Sequence, residues 1–218
     1  MSAESQLVRL DNFLSAEECK TLIALLSTKL PTDDHRKSDK RQRLQVDVVE
    51  QHVIDMIWGR LCQACEQSQR ADEMLKSLKV DDGNDGLDGV WTASRLRPRL
   101  LFAGYRPGDF FGAHYDLRVD AEGNGAPGAV AARGAVEEVS HVTVVIYLNE
   151  NGKDFHGGHT NVLEEGLREK KIIESVAPAT GTALLFLQEE VYHEGGSVES
   201  GTKFILRADV MYKRAERQ

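Results

Sequence analysis

The weak alternation of apolar and polar positions from Leu7 to Leu10 predicts a short opening strand. Ser15-Ala-Glu-Glu18 follows with the capping-box pattern, and Cys19, Leu22, Ile23, Leu26 and Leu30 recur at helical spacing, which predicts an amphipathic helix. Residues 31–45 are polar and of mixed charge and read as a loop. Val46, Val49, Val53, Ile57, Leu61 and Ala64 define a second amphipathic helix. The stretch 70–90 contains Asp81-Asp-Gly-Asn-Asp-Gly-Leu-Asp88, an acidic loop. Its acids do not sit at EF-hand spacing, and the twelfth position from Asp81 is Thr92 rather than Glu, so it predicts no calcium loop.

From residue 95 the period changes. Segments 95–105, 109–116, 140–148, 158–163, 171–176, 182–187, 191–194 and 202–212 read as short strands, with breaks at Pro107-Gly108, Asn151-Gly152 and Gly157-Gly158. Helices followed by many short strands predict an α+β fold: a jelly roll, or double-stranded β-helix, with the N-terminal helices packed on one sheet. The chain of 218 residues is expected to form one domain. Residues 1–94 would be its helical support region and 95–218 its jelly-roll core. The Gly/Ala-rich connection 117–139 is long for a compact domain and predicts a mobile lid.

Composition narrows the function classes. Hydrophobic content of 41% and charged content of 28% are those of a soluble globular protein. No apolar run approaches membrane-spanning length, and the N-terminus lacks the basic and apolar regions of a signal peptide, so a cytoplasmic location is expected. Twenty-seven basic against 35 acidic residues give a net charge of -8, which disfavours nucleic acid as a partner. Arg95, Arg97 and Arg99 alternate along one strand and fit either a local groove or a solvated edge. Cys62-Gln-Ala-Cys65 falls at helical positions, where two small thiols fit better than a redox or zinc motif; three cysteines make no disulfide framework.

Candidate chemistry lies in His114-Tyr-Asp116 and His193. On a strand, His114 and Asp116 share a face because side chains repeat every two residues. Two imidazoles and a carboxylate can cover one face of a metal and leave its other positions open, as in the 2-His-1-carboxylate triad. Taken singly, the pair also fits two polar residues near a turn, and His193 fits a satisfied core or surface histidine. Lys203 and Arg207 lie four apart and face the same way as Ile205; facing a sandwich interior, two cations would call for an anionic partner, whereas on a solvated face they are ordinary surface charges.

Tyr105-x-x-Gly108 before His114-x-Asp116, Val142-Thr-Val-Val-Ile-Tyr147-Leu-Asn149, Gly157-Gly158-x-Thr160, and His193 with Gly-x-Lys203 occur in that order. Together with Asn12-Phe-Leu-Ser-Ala-Glu-Glu-Cys-Lys-Thr-Leu-Ile they resemble the Fe(II)- and 2-oxoglutarate-dependent dioxygenases, in the prolyl 4-hydroxylase-like branch. The resemblance covers most of the chain, with gaps at 31–90 and 117–139. It implies Fe(II) on His114, Asp116 and His193, and the C5 carboxylate of 2-oxoglutarate on Lys203, with Arg207 as the second-choice cation. It also implies that Tyr147 helps hold that carboxylate, that Tyr105 lines the cosubstrate pocket and that Thr160 forms its wall. O2 is the co-reactant and ascorbate an auxiliary reductant. The implied reaction is hydroxylation of an unactivated C–H, in a prolyl or other residue of a peptide or protein, or in a free small molecule.

Two departures stand out. His159 occupies the place of a usual Glu in Gly157-Gly158-His159-Thr160, so that His156 and His159 bracket the glycines as rival ligands; and the 117–139 connection is long. A non-catalytic jelly-roll binding module, and a cupin-like metal enzyme without a cosubstrate, are the competing readings. Oligomeric state is not legible.

Overall fold

Strand β15, Lys203–Arg214, is the spine of the molecule, and its period-two pattern sets both layers around it. Leu206, Ala208 and Val210 point to one side, into a core they share with the helices. Ile205 points to the other side, into a second core between two sheets, and Lys203 and Arg207 share its face. The computed structural model describes residues 6–33, 38–80, 89–120, 138–166 and 170–214.

The major sheet runs β1 (Val8–Leu10), β12 (Ala183–Leu187), β8 (Glu138–Tyr147), β15, β5 (Gly89–Leu96), β4 (Ser77–Val80). β15 is long enough to pair first with β6 (Leu100–Tyr105) and then with β5 along one edge, while β8 lines its other edge. β3 (Leu44–Val48) adds outside β6. The facing sheet is β11 (Ile172–Val176), β10 (Thr160–Leu163), β13 (His193–Gly195), β7 (Phe110–His114), β2 (Arg41–Gln42); β9 (Phe155–Gly157) and β14 (Val198–Gly201) form a separate pair. The strands pair antiparallel, and two facing antiparallel sheets with a filled interior make the expected jelly roll.

Helices α1 (Ala16–Ser27), α2 (Gln51–Gln67) and α3 (Gln69–Lys76) cover the outer face of the major sheet. The capping box at α1 is formed: Glu18 N donates to Ser15 Oγ (3.2 Å) and Ser15 N to a Glu18 carboxylate oxygen (2.7 Å). Leu26, Ile57 and Leu61 are fully buried against the sheet, each contributing about 2 kcal/mol of transfer free energy. Cys62 and Cys65 lie inside α2, as their spacing predicts, and both are free thiols. Among the described residues no helix is long and apolar enough to cross a membrane.

The N-terminal region departs from its sequence reading. The 31–45 stretch holds β2 and the start of β3, because pairing with β7 and β6 supplies partners that local composition does not reveal. The second helix starts at Gln51, not Val46; Val46 and Val48 belong to β3, and Val49 is 65% exposed. Helix α3 and strand β4 occupy positions to which the sequence reading assigns no element, and the acidic loop expected at residues 81–88 lies outside the described residues. The expected strand 95–105 is two, broken around Pro98, which has no N–H for the ladder. The supposed boundary at 94/95 therefore falls inside β5. Residues 121–137, most of the expected lid, also lie outside the described residues.

His141 is buried on β8 between Trp91 and Tyr212, with ring centroids at 5.2 and 5.3 Å, and its Nε2 has no hydrogen-bond partner among the described residues. Burial, with Arg118 nearby, pushes its pKa down to about 3 from an ordinary 6.5. Between those limits the unfolded chain binds the extra proton, so stability falls as pH drops below about 6.5. We expect His141→Phe to flatten this acid-side loss by about 2 kcal/mol at pH 4.5 relative to pH 7, measured by urea unfolding. Parallel pH profiles for the two proteins would refute it.

Candidate active site

The strand register brings the candidate ligands together. β7 and β13 pair antiparallel with His114 directly opposite His193. Asp116 lies two residues past His114, just beyond the end of β7 rather than on the strand as its spacing suggests. Even so, one ligand atom from each of His114, Asp116 and His193 lies within 4.8 Å of the others. His114 Nε2 is 3.4 Å from Asp116 Oδ1. Among the described residues this is the one such cluster, and His156 and His159 are not in it. His156 is exposed and bonds Ser200 Oγ at 3.2 Å.

Each member is oriented from behind. His114 Nδ1 lies 2.8 Å from the Gly112 carbonyl and His193 Nδ1 2.9 Å from that of Val191. A carbonyl only accepts, so both Nδ1 atoms carry a proton and Nε2 is the atom that each ring turns toward the cluster. Burial holds the His193 pKa down, which keeps that imidazole neutral. Thr143 Oγ1 donates to Asp116 Oδ2 at 2.7 Å, and Arg207 approaches the same oxygen at 3.3 Å. Burial alone would raise the pKa of Asp116, but Arg207, His114 and His193 outweigh it and hold the carboxyl well below the usual range. With Oδ2 taken, Oδ1 is the oxygen presented to the cluster. Two imidazoles and one singly available carboxylate oxygen fit a first-row divalent metal with positions left open.

Arg207 thus serves a different partner from the one expected. Its guanidinium contacts Asp116 and also Asp209 (2.9 Å), and Gln188 bridges Asp209 to Thr143 at 3.1 and 3.3 Å.

Lys203 is in the same cleft and 3% exposed. Its Nζ donates to the Gly158 carbonyl (2.6 Å) and lies 5.4 Å from the ring centres of both Tyr105 and Tyr147. The register explains the flanking rings, since Lys203 is opposite Tyr105 on β6 and Ile205 opposite Tyr147 on β8. Gly158 has φ +65°, and an added Cβ would stand 3.0 Å from Lys203 Cδ, so the double glycine makes room for the lysine stem. Burial, with Arg43 nearby, pushes the Lys203 ammonium down to about 7. The Tyr147 hydroxyl donates to Thr160 Oγ1 at 2.6 Å, leaving Thr160 its own proton to offer to the cleft.

Five lining residues escape the sequence reading: Arg43, Phe111, Val145, Glu194 and Gly195. Phe111 stacks on His114 at 3.7 Å, and Glu194 is held by Lys170 (2.5 Å) and Asn161 (3.1 Å). Period two along β7 would have placed Phe111 on the face opposite to His114, so only the tertiary geometry reveals their stacking. Arg95, Arg97 and Arg99 pair with Glu138, Asp209 and Asp47, which makes them neutralised edge residues rather than a basic groove.

Residues 100–208 match the family model described as the 2OG-Fe(II) oxygenase superfamily. No curated protein matches the chain. Several solved structures do. A viral collagen prolyl hydroxylase from Paramecium Bursaria Chlorella virus-1, in its 2OG complex, is 20% identical with a TM-score of 0.57, over 97% of this chain and 98% of the other. A Pseudomonas putida prolyl-4-hydroxylase is 18% identical with a TM-score of 0.60, over 98% and 95%. A Trichoplax adhaerens prolyl hydroxylase, in complex with a hypoxia inducible factor oxygen degradation domain peptide fragment, is 16% identical with a TM-score of 0.56, over 94% and 83%. Those likenesses establish a shared fold. The family match spans β6 to the middle of β15, the stretch that carries His114, Asp116, His193 and Lys203, and the chain belongs to the 2OG-Fe(II) oxygenase superfamily.

Proposed function

We propose that this oxygenase hydroxylates an unactivated C–H in a prolyl or other residue of a peptide or protein, with Fe(II) on His114, Asp116 and His193 and the C5 carboxylate of 2-oxoglutarate on Lys203. The observation that carries this reading is a His–Asp–His cluster, its Asp116 and His193 buried and its His114 half-buried, sharing one cleft with a buried lysine that has no carboxylate partner among its described contacts. A desolvated ammonium is costly without a counter-anion, and a dicarboxylate reaching from the metal supplies one. The peptide preference draws on the similar structures, whose descriptions name collagen and a hypoxia inducible factor fragment.

When bound, Fe(II) and 2-oxoglutarate supply the activation of O2 and the oxidising power that replaces C–H by C–OH, with succinate and CO2 as co-products. The chain supplies the rest. The Gly112 and Val191 carbonyls fix both imidazoles with Nε2 forward. Thr143 and Arg207 hold the outer oxygen of Asp116, so the carboxylate presents a single oxygen and leaves positions open for cosubstrate. Tyr105 and Tyr147 shield the Lys203 ammonium from water, and Thr160 offers a hydroxyl proton to a ligand oxygen. Residues 1–218 act as one catalytic unit in this reading, with the helices bracing the sheet that carries Lys203.

Three outcomes test it. Asp116→Ala or His193→Ala should abolish succinate formation, with and without a substrate peptide; turnover near wild type with iron still bound would defeat the assignment. Thr143→Val should lower Mn(II) affinity about 10- to 100-fold by freeing the outer oxygen of Asp116; an unchanged titration would show that Thr143 does not orient the ligand. Because 2-oxoglutarate needs the charged form of Lys203, its apparent affinity should weaken as pH rises above about 7, by up to roughly tenfold per unit. Lys203→Met should be weak throughout and lack this slope, and a slope shared by both proteins would place the titrating group elsewhere.

A further inference from the structure

Arg207 lines the cleft, and its Nη2 approaches three oxygens: Asp209 Oδ1 at 2.9 Å, Asp116 Oδ2 at 3.3 Å and Thr143 Oγ1 at 3.3 Å. Its Nε is buried and has no hydrogen-bond partner among the described residues. One guanidinium therefore divides its charge between two carboxylates, the candidate ligand and Asp209. Asp209 is divided in turn. Arg97 Nη1 lies 3.6 Å from its Oδ2, and the Arg97 amide donates to its carbonyl at 2.9 Å. The side chains of Arg97 and Asp209 are 15% and 9% exposed, so water screens the pair only in part. The register seats Asp209 opposite Thr143, the residue that donates to Asp116. From the outside inward the charges alternate in sign: Arg97, Asp209, Arg207, Asp116.

We propose that Asp209 and Arg97 are a positioning pair that sets, through Arg207, how strongly Asp116 holds a divalent metal: Asp209 strengthens the ligand, and Arg97 tempers Asp209. This rests on the reading of His114, Asp116 and His193 as the metal site. Charge that Arg207 directs to Asp209 is not spent on Asp116, so the carboxylate keeps more of its own for a metal at Oδ1. Arg97 draws part of the Asp209 charge outward, which returns Arg207 to Asp116. Neither Asp209 nor Arg97 belongs to the His–Asp–His cluster or lines the cleft, so the pair acts from behind the ligand rather than by contact with the metal. Partners in that position govern metal affinity nearly as strongly as the ligands do. A brace and a tuner make opposite forecasts for Arg97. Loss of a brace loosens the site, whereas loss of a tempering cation tightens it.

The test is titration with Mn(II), read from the electron paramagnetic resonance of the free ion, on wild type, Asp209→Asn, Arg97→Met, the double variant and Asp116→Ala. Urea unfolding checks that each protein is folded. Asp209→Asn removes the charge and keeps an acceptor for Gln188 Nε2. It should weaken Mn(II) binding about tenfold. Arg97→Met should tighten it about threefold. In the Asp209→Asn background Arg97→Met should change the affinity by less than about twofold, because its intermediary is gone. Weakening by both single variants would make the pair a structural brace. Tightening by Arg97→Met that persists without the Asp209 charge would make Arg97 part of the general field of the protein. Reversed signs, or affinities like wild type in both single variants, would leave no tuning role; each of these outcomes overturns the inference. If Asp209→Asn does not fold, the sign of the change in Arg97→Met decides alone. If wild type binds no stoichiometric Mn(II), or Asp116→Ala binds it equally well, the metal-site reading itself falls.

Discussion

An ionised carboxylate held out of water has to be paired, and Asp116, 6% exposed between two sheets, imposes that demand on everything around it. Arg207 and Thr143 meet it on one oxygen, and the imidazole of His114 faces the other. The demand then passes outward. Arg207 is shared with Asp209, Asp209 with Arg97 and Gln188, and Gln188 with Ser140, whose hydroxyl receives the Val119 amide. The network ends on backbone three residues past Asp116, so the ligand is braced both through its side chain and through its own chain. Removing one member of such a buried set typically costs about 3–5 kcal/mol, because the survivors remain charged.

The fold sustains this network by separating two jobs on alternate residues of the same strands. On β15 and β8 one face is apolar and takes the helices, through Leu206, Ala208, Val142, Val144 and Ile146. The other face carries Lys203, Arg207, Thr143 and Tyr147 toward the cleft. A one-residue slip of either strand would invert both faces at once, so the helix-facing core also fixes the register of the site. The opposite sheet adds the histidines by pairing His114 with His193. Binding chemistry thus arises from two sheets whose relative position is set by apolar packing.

What the sequence reveals follows the range of the interactions. Period-two patterning in Val142–Tyr147 and Lys203–Arg207 is local, and alternation alone assigns those side chains to the correct faces. The same holds for the capping box at Ser15 and for Cys62 and Cys65 in a helix. The Tyr105, Gly157-Gly158 and His193-to-Lys203 spacings converge because each lies on a regular strand or a glycine turn. Strands β2 and β3 are hidden because their partners β7 and β6 are distant in sequence, and Arg43 is hidden with them. Arg207 misleads for a related reason: its face is legible, but which carboxylate it serves depends on Asp116 and Asp209 meeting it in space.

One ferrous ion on His114, Asp116 and His193, with Lys203 securing the far end of 2-oxoglutarate, is the arrangement on which the proposed chemistry stands. Anaerobic addition of Fe(II) and then 2-oxoglutarate, followed by visible absorption, probes it most directly, because metal-to-cosubstrate charge transfer is seen only when the keto acid chelates iron in the site. Wild-type protein should develop a saturable visible band that Asp116→Ala lacks. No band in a folded, iron-loaded wild-type protein, or an equal band in Asp116→Ala, would contradict that arrangement.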